Sequence, residues 1–152
     1  MTTKRFEAAI KKLYTSFHDA SLNPEDCKKC AVGNILDGKD SWKHLSHLHG
    51  STTLSYVGRV HQHLGRRFNG YTPLELLKIE SAFLKGIGYY GTEHGRCFKP
   101  EDYKSKDRLF DGLCAVVKVL CQLDGIDDIM DYSAVFNYNT PKTKSNTPEL
   151  VV

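Results

Sequence analysis

The sequence predicts an all-α protein: a compact single-domain bundle of about six helices over residues 1–136, with a flexible tail over 137–152. Three observations carry this. Apolar residues recur at i, i+3, i+4 and i+7 in several stretches, the spacing of one helix face. Capping residues and helix-stopping glycines bracket those stretches. No segment alternates apolar and polar residues cleanly, as a half-buried strand would.

The elements follow in order. Phe6, Ile10, Leu13, Tyr14 and Phe17 mark an amphipathic helix over residues 3–18. Asn23 offers a cap and Pro24 suits the first helical position, so a second helix is expected from Pro24 to Leu36, ended by Asp37-Gly38. Ser41 opens a short helix with Trp42, Leu45 and Leu48, closed by Gly50. Thr52 or Thr53 starts another, with Leu54, Val57, His61 and Leu64 along one stripe. Thr72-Pro73-Leu74-Glu75 is a capping box. It opens a helix carrying Leu76, Leu77, Ile79, Ala82 and Phe83, ending near Gly86 or Gly88. Gly88 to Lys104 reads as a loop. Asp107 to Leu123 is the last long helix, with Phe110, Leu113, Cys114, Val117, Leu120 and Cys121 on one face and Asp124-Gly125 at its end. A short helical turn is expected around Ile126 to Met130. From Asn137 the chain is polar and rich in Thr, Asn, Lys and Pro, which marks the tail.

At 152 residues the chain suits one domain with a hydrophobic core. Its apolar content of 40% and charged content of 26% are those of an ordinary soluble protein rather than a disordered or membrane-embedded one. A net charge of +3 demands neither a nucleic acid nor an anionic membrane. No apolar run reaches the roughly 20 residues of a membrane span. Met1 to Lys12 is charged and amphipathic, unlike a signal peptide, so a cytoplasmic location is expected. Five cysteines cannot all pair internally, and without a secretion signal reduced thiols or a metal site are expected over disulfides.

Chemistry concentrates at Cys27-Lys28-Lys29-Cys30. On a continuous helix, at about 100° per residue, Cys27, Cys30 and Asn34 share one side, at the edge of the buried stripe. An i, i+3 disulfide inside a helix is strained, which disfavours dithiol exchange. The pair can instead give two thiolates to a soft metal, and zinc or an iron–sulfur cluster takes about four ligands. Cys114 and Cys121 form a second pair on one helical face. If the second helix packs on the last one, these thiols meet, with Asn34 or His61 as helpers. The competing reading is that all four thiols are core residues, since buried cysteine behaves as a small hydrophobe. Cys97 is expected to be an exposed free thiol.

Histidines are numerous, with 7 in the chain. His44 and His47 share a face opposite Leu45 and Leu48 and read as exposed. His61 sits in an apolar stripe and reads as a hydrogen-bonded core residue or a metal ligand. There is no H-E-x-x-H, P-loop, G-x-G-x-x-G or G-x-S-x-G motif. Arg59, Arg66, Arg67, Lys78 and Lys85 read as a solvated face rather than a nucleic-acid site.

The strings Cys27-Lys28-Lys29-Cys30-Ala31-Val32-Gly33-Asn34-Ile35-Leu36, Asn69-Gly70-Tyr71-Thr72-Pro73-Leu74-Glu75-Leu76-Leu77 and Phe110-Asp111-Gly112-Leu113-Cys114 resemble a family of short bacterial proteins. Members are named after the flavin- and NADH-binding component of the sodium-translocating NADH:quinone reductase, and the resemblance covers residues 3–136. It implies a redox or metal link through Cys27 and Cys30. It implies no flavin or NADH residue here, because the chain has no C-x-x-x-x-C-x-x-C run and no nucleotide-binding glycine fingerprint.

Two functions are therefore expected. The first is metal or cluster binding, or a redox role, at Cys27 and Cys30. The second is a cofactor-free helical interaction or regulatory protein with core cysteines and an unspecified protein partner. No constellation of residues names an enzymatic substrate.

Overall fold

The computed structural model describes residues 3–91, 98–128 and 130–138, and within these the chain is helical, with two isolated antiparallel bridges and no strand. Helix α1 is Lys4–His18, and the Thr3 side chain caps it by accepting from the Phe6 N–H. Helix α2 is Ala31–Ile35. A 3-10 helix, Ser41–Leu45, precedes α3, Tyr56–His63. Helix α4, Pro73–Ile87, starts with the full Thr72–Glu75 capping box and stops at Gly88. Helix α5, Lys106–Asp124, is capped by Ser105 and ended by Gly125 in a left-handed conformation. Helix α6 is the single turn Tyr132–Val135.

Helices α4 and α5 form the principal seam of the core. Two glycines make it close. A Cβ on Gly86 would lie 2.8 Å from the Asp111 carbonyl, and one on Gly112 would lie 2.8 Å from Ile87. Glycine inside a helix costs roughly 0.5–1 kcal/mol. Here that cost is offset by close packing of Phe83, Leu84, Ile87, Leu113, Val116 and Val117, all fully buried. Helix α1 packs on α5, α2 on α1 and α4, and the 3-10 helix and α3 on α4.

Three expectations need correction. The helix expected from Pro24 to Leu36 is broken: residues before Ala31 form successive turns. The Asn23 and Asp26 side chains accept from the backbone N–H groups of Glu25 and Lys28, and such local bonds compete with a helix. Trp42 takes the Cys27 carbonyl, which a continuous helix would give to Ala31. The helix expected from Thr52 or Thr53 begins at Tyr56, and its stripe is not the buried one. Val57 and Leu64 are exposed, while Gly58 faces inward, where a Cβ would come within 2.2 Å of the Leu45 carbonyl. Ser55 sets this rotation, donating its hydroxyl to the His44 carbonyl at 2.6 Å and its N–H to Leu45 at 2.8 Å. The turn expected around Ile126 to Met130 is not helical at its described residues, and α6 follows instead.

Tyr138 is packed, edge-on to Phe17 at 5.2 Å, so the folded unit runs past residue 136. The rest of the expected tail, 139–152, lies outside the described residues, as does Cys97. Tyr90 and Phe98 pair through backbone bonds and stacked rings across the intervening loop. No helix among the described residues is long and apolar enough to cross a membrane.

Candidate metal centre

The turn-rich segment before α2 delivers Cys30 to the helix start, where it is the N-cap. Its Sγ accepts from the Gly33 N–H at 3.4 Å and faces the Cys27 carbonyl at 3.7 Å. Gly33 is what permits this approach: a Cβ there would sit 2.3 Å from the Cys27 carbonyl oxygen. Asn34 braces the same turn, its amide donating to the carbonyls of Lys29 and Cys30 at 2.8 and 2.9 Å.

Two residues from elsewhere in the chain complete the site. Glu80 lies on α4 among Leu76, Leu77, Phe83 and Leu84, and has no exposed surface. One of its oxygens accepts from the Val32 N–H at 3.1 Å, and the other lies 2.7 Å from His49 Nε2. His49, just past the 3-10 helix, stands edge-on to the Trp42 indole at 5.8 Å. Ligand atoms of Cys30, His49 and Glu80 all lie within 4.8 Å of one another, the one such group among the described residues.

Electrostatics tie the three together. Burial pushes the Cys30 thiol well above its ordinary pKa, and the Glu80 charge pushes it further. Burial and Glu80 also raise Cys27. Burial pulls the His49 imidazole down, yet the hydrogen bond and charge of Glu80 outweigh it and leave the pKa raised. Protonated thiols are poor nucleophiles, so these effects oppose disulfide exchange. A cation among the three groups would reverse them by displacing the protons.

Cys27 and His49 line a cleft of about 750 Å³ that also exposes Trp42, Lys43, His44, His47, Tyr56 and Val57. The centre is therefore open on the His49 side and closed on the Glu80 side.

Of the residues singled out from sequence, only Cys30 belongs to this group, with Cys27 one turn away at the cleft wall. Cys114 and Cys121 sit on α5, which packs on α4 and α1. Burial and Asp111 push Cys114 up to about 12, and burial raises Cys121 among Leu120 and its neighbours. His61 packs edge-on to Phe68 at 5.9 Å, and its buried Nδ1 has no partner among the described residues. His49 and Glu80 were not singled out. Glu80 carried a signal: a lone carboxylate on an otherwise apolar helix stripe requires a buried partner.

Compared with protein-family models, curated proteins and solved structures, the chain has no match in any of the three.

Proposed function

We propose that the protein binds a single divalent metal ion, zinc or ferrous iron, through Cys30, His49 and Glu80. The observation that supports this most is the convergence of one sulfur, one imidazole nitrogen and one carboxylate oxygen within 4.8 Å from three separate segments. A thiolate, a carboxylate and a neutral imidazole bring two negative charges, which balance a divalent ion. In a tetrahedral site, ligands about 2.0–2.3 Å from zinc stand about 3.3–3.7 Å apart, so the His49–Glu80 contact must open by about half an ångström. Cys27, at the cleft wall, is the nearest sequence-expected ligand for the fourth position. A single ion suits this donor set better than an iron–sulfur cluster, which is held mainly by thiolates. The family resemblance carried by the C-x-x-C segment adds the redox side of this reading, for which ferrous iron is the candidate.

The test is metal analysis of protein purified without chelator, for wild type and His49→Ala. One zinc or iron per chain that His49→Ala removes is the expected outcome. Substoichiometric metal in wild type, after growth with both metals supplied, contradicts the reading.

A second reading is a helical interaction protein without a cofactor. Its support is α3, where Tyr56 is 71% and Leu64 63% exposed, with Val57 and Val60 beside them. In that case His49 and Glu80 are simply an ion pair that satisfies a buried carboxylate, and the metal content of wild type is nil.

A further inference from the structure

Residues 41–74 carry Lys43, Arg59, Arg66 and Arg67, five of the seven histidines, and no acidic residue. The segment contributes the 3-10 helix, α3 and most of the cleft wall. Among the described residues, none that lines the cleft is acidic. Lys43 is half exposed and held only by a 3.5 Å contact to Asp40 on its own turn. His44 and His47 are exposed beside it. Ser46 and Ser55 add hydroxyls, while Trp42, Tyr56 and Val57 give an apolar wall. At about 750 Å³ the cleft has the size of a small-molecule site, and its make-up is that of one: mostly apolar, with a few convergent polar groups.

We propose that this cleft binds a small organic monoanion with a flat apolar body, of the aromatic carboxylate class. The ring lies against Trp42 and Tyr56, and the carboxylate meets Lys43 and the histidines. A carboxylate there gains charge-assisted hydrogen bonds that a cation of the same shape would replace by repulsion. The inference does not rest on a bound metal, because it uses the cleft wall rather than Cys30 or Glu80.

Trp42 is the only tryptophan in the chain, so its emission reports on the cleft alone. Benzoate and phenylacetate are titrated into the chelator-treated protein, with benzylamine and acetate as the matched cation and the ringless anion. Calorimetry runs in parallel, and the series is repeated with zinc. The expected result is saturable binding of an aromatic carboxylate with a dissociation constant of about 1 mM or below. Benzylamine should not saturate, and acetate should bind about tenfold more weakly or worse. Lys43→Glu should weaken the carboxylate about tenfold, and Tyr56→Ala should weaken it while leaving acetate unchanged. Both side chains are exposed, and thermal unfolding shows that the variants remain folded. The proposal is overturned if neither carboxylate saturates, if benzylamine binds as tightly, or if Lys43→Glu binds like wild type. Zinc uptake measured on the same samples separates a failed anion site from a failed metal site.

Discussion

At Glu80 a carboxylate with no exposed surface has both oxygens occupied, one by the Val32 N–H and one by His49. Removing one member of a buried pair leaves the other uncompensated. Glu80→Ala should therefore cost about 3 kcal/mol in urea denaturation, and Glu80→Gln, which keeps the shape and an acceptor, clearly less. His49 gives a pH signature. Its pKa is raised on balance, burial lowering it and Glu80 raising it more. An imidazole raised above its unfolded value of about 6.5 stabilises the fold fully below that pH and loses this contribution as pH climbs through the folded value. Wild-type stability in chelator should fall over that window, and His49→Gln should lack the fall. Zinc acts oppositely. It must displace the protons of Cys30 and His49, so affinity should rise about tenfold per pH unit for each proton released below its pKa. Competition with a chromophoric chelator at stepped pH measures this. At this scale the sequence exposed Cys27 and Cys30 through their spacing. It hid His49 among five neighbouring histidines, because nothing local distinguishes the one that meets a carboxylate 31 residues away.

The elements divide by what holds them. Helices α1, α4 and α5 were legible because caps and periodicity agree: Thr3, the Thr72–Glu75 box and Gly125 all act as their positions suggest. The segment from Asn23 to Leu36 was not, because Pro24 and apolar spacing favour a helix while Asn23, Asp26 and Trp42 take its backbone groups elsewhere. Helix α3 was misjudged in its rotation, since Ser55 and Gly58 dock it against the 3-10 helix by backbone contact rather than by its apolar stripe. Gly33 offers the sharpest test here. Gly33→Ala forces a Cβ into the Cys27 carbonyl and should cost about 1–3 kcal/mol while weakening zinc binding. Gly112→Ala should cost a similar amount at the α4–α5 seam and leave zinc affinity unchanged. Thermal unfolding and zinc titration of both variants separate the two roles.

Across the whole molecule, ties between distant segments fix the arrangement. Arg5 at the start of α1 reaches Asp124 at the end of α5 at 2.7 Å, Glu75 at the start of α4 at 3.0 Å and the Gly70 carbonyl at 2.7 Å, and it lies over the Tyr71 ring. Asp124 is 2% exposed, so Arg5→Ala strands a buried carboxylate and should cost about 3 kcal/mol by denaturant unfolding, leaving the metal centre intact. The helical class and its caps were readable from residue order, because both depend on near neighbours. Which helix covers which face was not, because periodicity marks a buried side without naming its cover. That is why Cys114 and Cys121 were expected beside Cys30, whereas α2 packs on α1 and α4 and its sulfur meets Glu80. The most direct measurement on the metal centre is a cobalt titration of the metal-free protein, followed through sulfur-to-cobalt charge-transfer absorption in the near ultraviolet. Saturation at one equivalent, with the band lost in Cys30→Ser, is the outcome expected. No band, or one that Cys30→Ser leaves unchanged, would contradict a metal centre at Cys30, His49 and Glu80.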